Sequence, residues 1–323
     1  MSAASEQESR EGVALTNLDQ ELFDGAGATK RDLVDYLDAV SDRILPELSD
    51  RPLSVIRVHR GQEAFMQKNV PKYTPPWVQT VSLWSESSRR DVDYALCNDR
   101  RTLIWFANQR AVEYHPALVH AERLDRVTHL VLDLDPPDVG TGTFALAARA
   151  ARLVKGALDD AGLIGAVKTS GSKGVHVFVP IDEKPTIDEA AAATRAIAQR
   201  AAALDPEIAT TAFMKDARGG RVFVDSTRVG GATVVAVYSP RVRPGAPVSF
   251  PVRWEDLDDI GPADFTIRSA LGILDGRDPW SDQMPPPQGL PRALIDEGRA
   301  IPTGRVQAMH EGRRRARARR SDA

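Results

Sequence analysis

The stretch HLVLDLDPP, residues 129–137, places Asp133 and Asp135 in an otherwise apolar run. In a strand, side chains two apart point the same way. Asp133 and Asp135 therefore project from one face and Leu132 and Leu134 from the other. Two like charges on the face of a buried strand are costly unless they are paired or bind a cation. A divalent metal would relieve both the desolvation and the repulsion. The plainer reading is a strand that ends in a turn, since Pro136 and Pro137 follow at once and Asp is common in turns.

The rest of the chain frames this strand. Thr29–Leu48 carries apolar residues at three- and four-residue steps, with Thr29 placed as N-cap and Asp32 three residues on, and predicts one amphipathic helix. Residues 52–61 and 79–87 read as strands, and 91–116 as a short strand, a turn and then a helix ending near Pro116. Residues 143–163 read as a helix stopped by Gly162, and 165–181 as two short strands around a Gly/Ser/Lys turn. A further helix over 188–206 closes at Pro206. Residues 219–227 and 231–240 read as two more strands, with RVGG as their turn. After about residue 243 the chain is punctuated by proline and glycine and is expected to wrap back over the core. This order predicts an α+β fold of mostly antiparallel sheets flanked by helices. No GxGxxG or GxxxxGK[ST] loop follows a strand.

A chain of 323 residues can bury a large core, as one large domain or two smaller ones. The single cysteine, Cys97, rules out an internal disulfide and a cysteine-built zinc site. No run is long enough to cross a membrane and no signal peptide opens the chain, so a cytoplasmic location is expected. The net charge of −3 does not mark a nucleic-acid binder, but residues 311–323, EGRRRARARRSDA, hold six arginines. That tail reads either as a solvated segment or as a phosphate-binding arm. The expected organisation is a disordered stretch at 1–12, a catalytic domain over 13–300, and a basic, flexible tail over 301–323.

Two further segments bear on the aspartates. KTSGSKGVHVFV, residues 168–179, offers a tight turn at Gly171 and Gly174, donors from Ser170, Ser172 and Lys173, and His176 with Phe178 on the next strand. A turn of exposed amides beside a lysine suits phosphate oxygens, and it is equally an ordinary hairpin turn. RVFVDS, residues 221–226, ends a third apolar strand in an aspartate, Asp225. Three strand-end carboxylates are what a two-metal site needs, and all-oxygen ligation suits Mg2+ or Mn2+. The constellation fits metal-dependent phosphoryl or nucleotidyl transfer.

In that order, LTNLDQELFD, TKRDLVDYL, AFMQKN, EYHP, LVLDLDPP, TSGSKGVHVFVP, RVFVD and YSPR resemble the archaeo-eukaryotic primase superfamily. Within it, they resemble the polymerase domain of bacterial DNA ligase D and its stand-alone relatives. The resemblance runs from about residue 14 to 290. It implies a primase-polymerase catalytic fold in which Asp133, Asp135 and Asp225 are catalytic and hold two metal ions. It assigns nucleotide binding to Ser170, Lys173, Gly174, His176, His115 and Arg241, with Arg57 near the nucleotide or template. It assigns Phe65, Lys68 and Asn69 to the template strand, where an aromatic can stack on bases. Lys30 matches one of two lysines that hold a 5′-phosphate in end-joining members. The implied activity is template-dependent extension of 3′-OH ends in short gaps or breaks, with Mn2+ or Mg2+ and with ribo- or deoxynucleoside triphosphates. The implied partners are gapped or broken DNA with its template strand, a DNA ligase and end-binding proteins, in the nucleoid.

Several positions depart from the pattern. Gln20 stands where the second 5′-phosphate lysine is expected, and an amide cannot supply that charge. Met66 follows Phe65 where two aromatics are usual, and Arg228 stands where a polar uncharged residue is common. No K-x-D-G ligase signature occurs and the chain is short for added ligase or nuclease domains, so a stand-alone primase-polymerase is expected. Two other classes compete with it. A metal-dependent phosphodiesterase can use the same aspartates but has no need of a triphosphate turn. A non-catalytic DNA-end binding module has no reason to keep three costly carboxylates.

Overall fold

In the computed structural model, which describes residues 7–59, 61–85, 88–138, 142–229 and 232–303, the apolar run around Asp133 is a central strand. The chain divides into two compact units. One comprises the chain through Ala117 with Val235–Phe250 and Ala263–Asp278; the other comprises Leu118–Val234, Pro251–Pro262 and the chain from Pro279.

The first unit begins with a small antiparallel ladder, β1 (Ser9–Arg10) on β2 (Val13–Ala14). Arg10 reaches Asp35 and Asp38 of the following helix. The stretch expected to be disordered through residue 12 is therefore paired from Ser9, because Arg10 finds carboxylates there. Helix α1 (Lys30–Ala39) opens with the capping box read from the sequence: Thr29 Oγ1 accepts from Asp32 N and Thr29 N donates to Asp32 Oδ2 at 2.7 Å. The single helix expected over 29–48 is two. Val40 leaves helical geometry (φ −96°, ψ 6°), and α2 (Ser41–Leu48) begins as a separate helix after it.

Strands β3 (Leu53–Arg57), β4 (Phe65–Gln67), β5 (Thr80–Ser85) and β6 (Arg90–Ala95), with β7 (Ala111–Pro116), form a five-stranded antiparallel sheet. Between β6 and β7 lies α3 (Arg100–Asn108), capped by the Asp99 carboxylate on Thr102 N. The expectation of a helix running to Pro116 is corrected here. Arg110 takes φ +59°, which ends the helix, and the β-branched and aromatic run Val112–Tyr114 pairs with β3 instead.

The second unit holds β8 (Val119–His120), β9 (Arg123–Val127), β10 (His129–Asp135), α4 (Thr143–Asp160), β11 (Ala166–Thr169), β12 (Val175–Pro180), α5 (Ile187–Leu204), β13 (Ala209–Thr210), β14 (Val222–Asp225) and β15 (Pro251–Val252). Its six-stranded sheet runs β13-β14-β10-β12-β11-β15 and is antiparallel except for β13 on β14. Buried alanines such as Ala147, Ala151, Ala193 and Ala196 let α4 and α5 pack closely. The helix Arg292–Ala300 packs on α5, where a Cβ on Gly298 would strike the backbone of Ala192.

The strand expected over 231–240 does not form among the described residues. Both edges of β14 are taken, by β10 and β13, so it has no hairpin partner to offer. From Val235 the chain belongs to the first unit, where Ala236 N bonds Tyr114 O, Tyr238 N bonds Ser249 O, and Tyr238 takes φ +65°. The expected turn glycines Gly230 and Gly231, residues 1–6 of the stretch expected to be disordered, and residues 304–323 of the basic tail lie outside the described residues.

Candidate active site

Strand β10 has β12 on one side and β14 on the other. The register sets Asp133 directly opposite His176 on β12 and directly opposite Asp225 on β14. Asp135 lies two residues along the same face as Asp133. One oxygen from each of Asp133, Asp135 and Asp225 lies within 4.8 Å of the others.

Each carboxylate is held differently. Asp133 Oδ1 is 3.2 Å from His176 Nε2, and Asp133 Oδ2 is 2.7 Å from Arg228 Nη2. Asp225 Oδ1 accepts from Thr227 N at 2.8 Å, and its Oδ2 is 3.3 Å from Arg228 Nε. Asp135 accepts no hydrogen bond among the described residues. Burial, then the neighbouring Asp133 charge, pushes its carboxyl up to about 6. Burial also pushes Asp133 up, but the His176 imidazole and the Arg228 guanidinium outweigh it and hold that carboxyl well below the usual range. An acidic, oxygen-only donor set with one uncommitted carboxylate fits a hard divalent ion.

The turn beside these residues is shaped by glycine. A Cβ on Gly174 would collide with the carbonyl oxygen of Leu134, so only glycine lets the turn lie against β10. Ser170 Oγ accepts from Ser172 N at 3.2 Å and Gly174 N at 3.1 Å, so two of the turn's amides bind its own serine. Lys173 donates to Pro136 O at 3.0 Å and to Asp138, and Lys215 reaches the same Asp138 at 2.8 Å. These two ammonium groups hold the exposed Asp138 carboxyl below its ordinary value. His176 faces the carboxylates with Nε2 and Lys168 with Nδ1, at 2.9 Å.

The remaining expected residues lie in the first unit. His115 and Arg241 meet on Glu113, which the sequence reading passed over. Glu113 Oε2 is 2.8 Å from His115 Nε2 and 3.0 Å from Arg241 Nε, and its Oε1 accepts from Val242 N at 2.8 Å. The signal was present in E-Y-H, since residues 113 and 115 share a strand face. Arg57 is buried; it donates to Gln109 O, Gln67 Oε1 and the Tyr73 hydroxyl, and lies over the Phe65 ring. Phe65 is exposed and stacks on His59, with centroids 5.4 Å apart. Lys68 is exposed on the same segment. Asn69 bonds Asp93 N and Val70 O, which ties its segment to β6. Lys30 is buried and donates to Thr16 O at 2.5 Å. Beside it Arg110 donates to Gln20 Oε1 at 3.2 Å and to the Glu21 and Leu22 carbonyls.

The profile of the LigD primase-polymerase domain matches residues 29–280. The chain belongs to the LigD primase-polymerase family. LigD primase-polymerase domains are DNA-directed nucleotidyltransferases and are metal-dependent. The bifunctional non-homologous end joining protein LigD of Bacillus subtilis is 32% identical over 289 residues, 88% of this chain and 46% of that protein. The multifunctional non-homologous end joining DNA repair protein LigD of Mycobacterium tuberculosis is 35% identical over 271 residues, 80% of this chain and 34% of that protein. The chain thus spans less than half the length of these relatives. The polymerase domain of M. tuberculosis Ligase D, solved in complex with DNA, superposes with a TM-score of 0.76 at 31% identity, over 86% of this chain and 98% of that one. Among the described residues no helix is long and apolar enough to cross a membrane.

Proposed function

We propose that this LigD-family chain extends the 3′-OH end of a DNA strand on a template, at short gaps or breaks, from ribo- or deoxynucleoside triphosphates. The observation that carries the reading is the Asp133–Asp135–Asp225 set, with its ligand oxygens within 4.8 Å of one another. Mg2+ or Mn2+ suits that set. When bound, such ions activate the attacking hydroxyl and stabilise the departing pyrophosphate. The chain's own residues do the rest. His176, Arg228 and Thr227 N orient Asp133 and Asp225, and Asp135 keeps its oxygens for ligation. Lys173, on the Ser170–Gly174 turn, is the cation for the triphosphate, with His115 and Arg241 as further nucleotide contacts.

Phe65 serves as a stacking surface for template bases, Lys68 meets the phosphate backbone, and Arg57 braces the segment through Gln67 and Tyr73. Lys30 takes a 5′-phosphate at the gap. The relatives are named for non-homologous end joining, which makes a DNA ligase and end-binding proteins the partners proposed here, in a cytoplasmic, nucleoid setting.

Primer extension on a short-gapped duplex with Mn2+ tests the reading, with ribo- and deoxynucleotides in separate tubes and Asp133→Ala beside the wild type. Templated extension that vanishes in the variant is expected, and the faster tube gives the sugar preference. DNA bound but not extended would favour an end-binding module. DNA shortened instead would favour a phosphodiesterase.

A further inference from the structure

Four ionisable side chains stand in one row across the second unit's sheet. Lys168 on β11 is directly opposite His176 on β12, His176 is opposite Asp133 on β10, and Asp133 is opposite Asp225 on β14. Directly paired residues share a sheet face, so the row is continuous. Three of its members belong to the site already described. The fourth, Lys168, has no solvent exposure at all, and nothing in the proposed reaction requires it.

A buried lysine costs more than a methionine of similar volume unless its charge is used. The use is visible at its tip. Lys168 Nζ lies 2.9 Å from His176 Nδ1, over the Phe178 ring at 5.3 Å from its centroid. An ammonium has donors only. Its contact therefore makes Nδ1 an acceptor and leaves the ring proton on Nε2. That nitrogen is the one 3.2 Å from Asp133 Oδ1, where the proton forms a hydrogen bond. With Nδ1 protonated instead, Nε2 would turn a lone pair toward a carboxylate. Asp133 is thus oriented from two sides, through Oδ1 by the Lys168–His176 pair and through Oδ2 by Arg228.

We propose that Lys168 is a positioning residue: it fixes His176 as the Nε2–H tautomer and, through it, the orientation of the Asp133 carboxylate. Its link to catalysis rests on Asp133 being a metal ligand, but its primary readout does not. Partners that orient a metal-binding side chain in this way are worth about 10–100-fold in metal affinity or activity.

The test is long-range 15N–1H NMR on the full chain without added metal, with His176 assigned by its loss in His176→Gln. In the wild type, a protonated Nε2 and an unprotonated Nδ1 are expected. In Lys168→Met the Nδ1–H form should become populated, and Mn2+ affinity, read from the free-ion EPR signal, should fall about 10–100-fold. The melting temperature of Lys168→Met should not fall with it, since an apolar side chain replaces a buried charge. Lys168→Arg, which keeps a donor, should restore the Nε2–H form. A wild type with the proton on Nδ1 would overturn the proposal, and that result needs no variant to fold. So would Lys168→Met with tautomer and Mn2+ affinity both unchanged. A wild type with the expected tautomer that binds no Mn2+ would support the positioning and overturn the metal reading instead.

Discussion

Asp133 and Asp225 face each other directly across the β10–β14 ladder, and Arg228, three residues beyond Asp225, contacts both carboxylates. Like charges placed opposite one another destabilise a strand pair. The guanidinium offsets that repulsion, and it uses Asp133 Oδ2 and Asp225 Oδ2, oxygens that a divalent ion also seeks.

Arg228→Gln should therefore lose stability without divalent ions and recover more of it than the wild type when Mn2+ is added. Arg228 is one-third exposed, so the expected loss is discounted to about 1–2 kcal/mol. Thermal unfolding of both proteins with and without Mn2+ checks this. Equal Mn2+ responses would mean that Arg228 and the metal do not compete for the carboxylates.

The Ser170–Gly174 turn allows a sharper comparison of two glycines. At Gly174 an added Cβ meets the Leu134 carbonyl, a backbone group that cannot swing away. At Gly171 it is the backbone angle, φ +67°, that opposes a side chain. Gly174→Ala should cost about 1–3 kcal/mol and push the turn off β10, while Gly171→Ala costs about 1 kcal/mol. The KM for nucleotide should rise further in Gly174→Ala. A larger KM change in Gly171→Ala would count against close approach as the function of Gly174.

Local patterns in the sequence account for much of this site, and the exceptions share a cause. The alternation in Leu130–Asp135, the Thr29 capping box, the Gly162 stop and the strand end at Asp225 are all written in neighbouring residues. The misread elements are those decided by pairing with distant chain. Ala111–Pro116 is a strand because β3 is there to pair with it, and 232–240 is irregular because β14 has no free edge. The same holds for side chains. Glu113 gains its meaning from Arg241, 128 positions away, and Arg228 gains its meaning from Asp133. The sequence marks Arg228 only as an unusual residue after an aspartate.

Lys30 carries a pH signature in the first unit. Burial, with a smaller contribution from the nearby Arg110 charge, lowers its ammonium from 10.5 to about 8. Between those values the unfolded chain holds a proton that the folded chain has released, so stability rises with pH across about 8 to 10.5. Below about 8 the charge is buried at a cost of about 2–3 kcal/mol. Lys30→Met should be more stable than the wild type at pH 7, and the gap should close toward pH 10.5. Arg110→Gln should narrow the window only slightly, because burial is the larger cause. Urea midpoints measured from pH 7 to 10.5 test both statements. A Lys30→Met protein less stable than the wild type at pH 7 would contradict them.

Glu113 is the reverse case. Burial pushes its carboxyl up, but His115, Arg241 and the amide of Val242 together bring it down to about 2. A folded value below the unfolded one stabilises above about pH 4.5, and that stability is lost as pH falls toward 2. The difference corresponds to about 3 kcal/mol. Glu113→Gln keeps the shape and a hydrogen-bonding oxygen but removes the charge that holds His115 and Arg241 together. It should unfold with a flatter acid limb and lose about 3 kcal/mol at pH 7. If His115 and Arg241 bind the nucleotide, its KM should rise about tenfold, a loss of about 1.4 kcal/mol in binding, with Mn2+ affinity unchanged. A variant that loses stability but keeps its KM would leave Glu113 as a structural carboxylate and remove His115 and Arg241 from the nucleotide site.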